Sequence, residues 1–133
     1  MSHNVTMSNV QIKDLQLFGN IAQTMSAGAA HLDVHAKTFR TYRGQPTDCD
    51  AKISMPGAHD IGLKRNADGN YVPVFDPYNM APIFRAAQGR NYIGALLREY
   101  AMQEAEITAA QQGMTTTRLP GKNGTEILEI VQT

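Results

Sequence analysis

Hydrophobic and polar positions change period several times along this chain, and the changes mark its elements. Val5 to Ile12 is rich in β-branched residues, and Ser8 and Asn9 sit poorly inside a helix, which predicts a short first strand. From Asp14 the period becomes helical, with Leu15, Phe18, Ile21, Ala22 and Met25 on one apolar stripe. Gly19 weakens that helix by about 1 kcal/mol relative to alanine, so it must lean on packing. Ser26, Ala27 and Gly28 end it, with Gly28 as the left-handed cap.

Beyond the cap the period is two. His31 to Tyr42 reads as extended, Gly44-Gln45-Pro46 as a turn, and Asp50 to Met55 as a strand with Ala51, Ile53 and Met55 on one face. Pro56-Gly57 turns the chain. Ile61 to Lys64 and Tyr71 to Phe75 then form a hairpin about Asn66-Ala67-Asp68-Gly69. Pro73 cannot donate to a ladder, so its strand is expected at an edge or with a bulge. Asp76 to Arg90, with Pro77 and Pro82, reads as a loop. Asn91 caps a second helix to about Gln112, whose inward stripe is Ile93, Leu96, Leu97, Tyr100, Ala101, Glu104 and Ile107. A last hairpin joins Met114–Leu119 to Thr125–Val131. In its second strand Ile127 and Val131 face opposite to Leu128 and Ile130, which predicts burial on both sides.

This order gives an α+β fold of ferredoxin-like character. Its antiparallel sheet, a meander with central and C-terminal hairpins, is covered on one face by two helices. The 133 residues fit a single domain, 1–133, long enough to bury a core without staples. Hydrophobic and charged fractions of 42% and 18% are those of a folded protein. Twelve basic side chains balance twelve acidic ones, so no global field draws in nucleic acid or an anionic membrane. Neither a secretory signal nor an apolar run of about 20 residues is present, which makes the cytoplasm the expected location.

Several pieces together resemble a known family. They are Met1-Ser2-His3, Gln11-Ile12-Lys13-Asp14-Leu15, Tyr42-Arg43-Gly44-Gln45, and the run from Asp60-Ile61-Gly62 to Asn66-Ala67-Asp68-Gly69-Asn70-Tyr71. Tyr100-Ala101 and Gln112-Gly113-Met114 complete the pattern. The chain is similar to domain-of-unknown-function family 1257, small proteins of cyanobacteria, plastid genomes and some bacteriophages. The resemblance implies a compact soluble α+β protein and carries no established activity. Members often sit near genes for a molecular-chaperone-like ATPase, which implies an accessory role. Where relatives carry tryptophans after the central hairpin, this chain has Tyr78-Asn79.

The residues assemble no catalytic set. His31 and His35, in extended chain, stand about 13 Å apart, too far to share one metal ion. Cys49 lies between Asp48 and Asp50, whose carboxylates oppose a thiolate, and reads as a small core residue. No glycine run has phosphate-loop spacing, and Gly121-Lys122-Asn123-Gly124 is a plain hairpin turn. Glu104, Glu106, Glu126 and Glu129 read as solvated, and Asp60, Asp68 and Asp76 as turn formers. No metal and no cofactor is implied.

What remains is a candidate binding surface: Arg40, Tyr42 and Arg43 on one strand, Lys64 and Arg65 at the hairpin, and Tyr78 and Phe84 in the loop. Basic and aromatic side chains interleaved on a strand can stack bases and hold phosphates. The bland alternative is a solvated strand whose arginines pair with Asp48, Asp50 and Asp60. Three readings follow. The first is a non-enzymatic protein-binding or accessory module, docking to an ATPase or to its own copy. The second is a nucleic-acid-binding module. The third is an enzyme whose site gathers Arg43, Asp60, Tyr78 and a histidine from distant positions.

Overall fold

The computed structural model describes residues 5–6, 10–41, 46–57, 59–75, 92–122 and 126–132. The chain divides into two compact units, Met1–Phe84 and Arg85–Thr133. It is an α+β fold in which every strand pairing among the described residues is antiparallel.

The first unit is built on a five-stranded sheet. Strands β1 (Val5–Thr6), β2 (His31–Asp33), β5 (Ala51–Ser54), β6 (Ile61–Arg65) and β7 (Tyr71–Phe75) lie in the order β1-β7-β6-β5-β2. Register assigns the faces. Leu32, Ala51, Ile53, Ile61, Leu63 and Phe75 share one, and Lys52, Gly62, Lys64, Val72 and Val74 share the other.

Helix α1 (Leu15–Met25) serves the first face. Asp14 caps it by accepting a hydrogen bond from the Leu17 N–H at 3.0 Å. The predicted stripe is the one it buries, through Phe18, Ile21 and Ala22. Gly19 is also buried, and a Cβ there would lie 2.7 Å from Leu32 Cβ. The residue that weakens the helix lets it lie close against β2. Ser26 is the C-cap, so the left-handed capping position expected of Gly28 falls on Ala27, at φ 54°; Gly28 follows at φ +88° and donates to the Gln23 carbonyl at 2.8 Å.

The second face is covered by a separate hairpin, β3 (Thr38–Arg40) with β4 (Pro46–Asp48). Phe39 is its anchor, in a cluster with Ala36, Cys49 and Val74. Its ring occupies the space over Gly62, where a Cβ would stand 2.3 Å from Cε1. Pro46, expected in the turn, opens β4 instead, where a missing N–H is tolerated.

The expectation that Pro73 marks an edge strand is corrected. Strand β7 is internal, between β6 and β1. Ile12 and Tyr71 exchange both backbone hydrogen bonds, at 2.7 and 2.9 Å, so odd-numbered residues of β7 turn their amides away from β6. Pro73 therefore turns its missing N–H away from β6, and its pairing with Leu63 loses no ladder bond. Of the predicted first strand, the described residues show Val5–Thr6 and the Ile12 bridge, with Val10 and Gln11 outside any strand.

The second unit contains helix α2 (Tyr92–Gln111) and a two-stranded sheet, β8 (Met114–Pro120) with β9 (Glu126–Gln132). The C-terminal hairpin thus forms its own sheet. The N-terminal part of the predicted α2 stripe is buried, at Ile93, Leu96, Leu97 and Tyr100. Ala101 and Ile107 are exposed, against expectation, and Ala109 is buried in their place. Two-sided burial of β9 is also overturned: Ile127, Ile130 and Val131 are 55%, 49% and 48% exposed. Alternating apolar residues on both faces do not bury a strand when one layer alone packs on it.

Gly62→Ala should cost about 3 kcal/mol through overpacking against Phe39. Urea denaturation of Gly62→Ala, Phe39→Leu and the double variant checks this. The double variant should fall well short of the summed losses.

Candidate functional site

Asp60 precedes β6 and is completely buried. A carboxylate without solvent must find its donors in the protein. Oδ1 accepts from the Met55 N–H at 3.0 Å and from Arg40 Nη2 at 2.8 Å. Oδ2 accepts from the Arg40 N–H at 3.0 Å and from Arg40 Nε at 3.1 Å. Lys52 Nζ stands 3.6 Å away. The same guanidinium donates to the carbonyls of Met55 and Gly57, both at 2.6 Å. Burial pushes the Asp60 carboxyl up, but the guanidinium and the two backbone donors outweigh it and hold the group below its ordinary value. The Arg40 guanidinium is shifted up by the same pairing.

Asp60 therefore bonds the backbone of the turn before it, at Met55, but its main partner is the distant Arg40, which is committed to the fold. Of the arginine pairings considered in the sequence, this one is realised. Cys49 is buried as expected, and burial pushes its thiol up.

The two other candidates among the described residues do not converge. Lys64 and Arg65 are both exposed, but strand alternation sends them to opposite faces of the sheet. Arg65 lies over the Tyr71 ring, 5.2 Å from its centroid, and donates to the Tyr71 hydroxyl at 2.5 Å. Its backbone N–H donates to Asp50 at 2.8 Å. Tyr42, Arg43, Tyr78 and Phe84 lie outside the described residues. His31 lines a groove of about 240 Å³ between α1 and β2, with Gln16, Asn20 and Gln23 along its helical wall. Among the described residues no three of His, Cys, Asp and Glu gather as metal ligands would. No helix there is long and apolar enough to cross a membrane.

Sequence reading missed a cluster of exposed aliphatic residues among the described ones. In the second unit Arg118 points from β8 to α2 and forks between two carboxylates. It reaches Glu99 at 2.8 and 2.9 Å and Glu106 at 2.6 and 3.1 Å. Gln103 donates to Glu99 at 2.8 Å, and Tyr100 donates to Glu104. The Arg118 bonds hold the Glu99 carboxyl below its usual range and raise the guanidinium. Glu104 and Glu106 are thus engaged, against the expectation of simple solvation.

Because Arg118 turns toward α2, its neighbours on the ladder define the outer face. Thr115 with Val131, Thr117 with Glu129, and Leu119 with Ile127 are the cross-strand pairs there. All six residues are exposed. Three are aliphatic and one is charged. The signal was present in the sequence as aliphatics of both parities between Glu126 and Gln132, but that pattern does not distinguish a buried strand from an uncovered one.

Arg40→Ala should destabilise the fold by about 3 kcal/mol near neutral pH, because it leaves a buried charge short of its partner. The folded carboxyl titrates below its ordinary value of 3.8, so its stabilising effect is complete above that value and is lost as pH falls toward the folded one. The penalty of the variant should therefore shrink on acidification, as Asp60 protonates. Urea titrations from about pH 7 to about pH 3 read it, and a pH-independent penalty contradicts the assignment.

Neither a curated protein nor a solved structure matches this chain. A family model does, over residues 29–125, well over half its length. Met1-Ser2-His3 and Gln11 to Leu15 fall outside that span, whereas the elements from Tyr42 to Gln112-Gly113-Met114 fall inside it. On that match the chain belongs to the family described as "Protein of unknown function (DUF1257)".

Proposed function

We propose that this α+β protein is a non-enzymatic docking module whose contact surface is the outer face of the β8–β9 hairpin. The observation that supports it is the exposure of Leu119, Ile127 and Val131 together on one sheet face, at 38%, 55% and 48%. Single exposed aliphatics are ordinary, but a contiguous cluster on a rigid sheet marks a surface that another protein covers. The hairpin is held from behind by the Arg118 fork, so the face is presented in a fixed shape and little ordering is needed on binding. An accessory role beside an ATPase fits a module of this kind.

Charge distribution weighs against the nucleic-acid reading. Arg40 is consumed by Asp60, and Lys64 and Arg65 diverge. The one charged residue on the proposed face, Glu129, repels phosphate. The enzymatic reading loses Asp60, whose carboxylate is fully buried and fully bonded.

The test is a photo-crosslinking residue at Ile127, expressed in the native host, with the adduct identified and then reconstituted from purified components. Ile127→Asp combined with Val131→Asp should weaken that reconstituted complex by at least about a hundredfold while leaving the circular dichroism spectrum unchanged. Undiminished affinity of the double variant for its crosslinked partner would remove the proposal.

A further inference from the structure

The outer edge of β9 has a property that the other edges of the described sheets lack. The five-stranded sheet ends in β1 and β2, of two and three residues, and β3 and β4 have three each. Short strands are one way in which proteins protect their edges, and lysine or proline is another. Strand β8 is long but carries Arg118 and ends at Pro120. Strand β9 has seven residues, Glu-Ile-Leu-Glu-Ile-Val-Gln, with neither proline nor a basic residue. It pairs with β8 on one side, and no strand among the described residues lies on the other. Ile130, on the face turned toward α2, is 49% exposed as well, so both faces of the strand carry uncovered aliphatic surface.

We propose that β9 accepts an extended segment of a partner protein as a third strand of this sheet. This rests on the docking reading above and names the chemistry of its partner. Backbone groups of the incoming segment would complete the ladder along β9, which is a recurring mode of peptide recognition. The side chains of β9 set the pattern required of that segment. On the outer face Ile127, Glu129 and Val131 call for an aliphatic, a basic and an aliphatic residue, each two positions from the next.

Glu129 also decides between a foreign segment and a second copy. An antiparallel two-fold pairing of β9 with itself that sets Ile127 opposite Val131 sets Glu129 opposite Glu129. Like charges directly across a ladder destabilise it. Sliding the pairing two residues either way sets Glu129 against Ile127 or Val131 and shortens the overlap. A lysine or arginine from another protein meets neither difficulty.

The probes are two blocked peptides, acetyl-TITKTVT-amide and its counterpart with glutamate in place of lysine, tested on the full chain by fluorescence anisotropy. Hydrogen exchange locates the binding. The lysine peptide should bind about tenfold more tightly than the glutamate peptide, and it should slow amide exchange along β9. Glu129→Lys should reverse that order, and Glu129→Gln should abolish it. Either variant must retain the parent's circular dichroism spectrum, which its exposed position favours. Equal binding of both peptides, a preference insensitive to Glu129, protection away from β9, binding of neither peptide, or sedimentation as a β9-dependent dimer would each overturn strand addition. If strand addition fails while an Ile127-dependent complex is still reconstituted, docking stands and only its mode is lost.

Discussion

A carboxylate with no access to water governs how the first unit is put together. Asp60 needs donors, and the chain supplies them from a strand twenty positions earlier and from the turn just before it. That requirement fixes Arg40, and with it β3, over the β5–β6 connection. Lys52 adds a second positive charge from the sheet itself. A buried charge contributes little net stability when well paired and is costly when stranded, so such a group acts mainly to exclude other arrangements. The hairpin of β3 and β4 can settle on this face in the one position that satisfies Asp60 and also drops Phe39 onto Gly62.

The consequence is a division of labour between basic residues that looked alike in the sequence. Arg40 is spent on architecture, Arg65 on a stacked contact with Tyr71, and Lys64 is turned to the opposite face. In the strand whose composition most suggested a binding face, the described side chains Phe39 and Arg40 are occupied by the fold. The C-terminal hairpin, which reads as routine secondary structure, holds the uncovered apolar area instead. Function is better sought where side chains have been left without protein partners than where charges cluster in sequence.

Much of the fold was legible because local physics determined it. The α1 stripe and the place where α1 ends, the central hairpin and both strands of the last one follow from period and turn chemistry. What failed depended on long-range pairing. Pro73 excludes only one side of a ladder, and which neighbour lies there is decided by Ile12, some sixty positions away. Asp60 has the composition of a turn residue, and nothing adjacent to it announces Arg40. Ile107 and β9 were assigned to a core by periodicity, which reports a face but cannot say whether anything covers it.

The fork at Arg118 carries a consequence for how this sequence can drift. Its donors are divided between Glu99 and Glu106, two turns apart on α2. A lysine offers a single compact ammonium and cannot reproduce two planar contacts at once. Losing either glutamate would leave half of the guanidinium without its acceptor. Positions 99, 106 and 118 are therefore a single heritable unit, free to change in concert and constrained when changed one at a time.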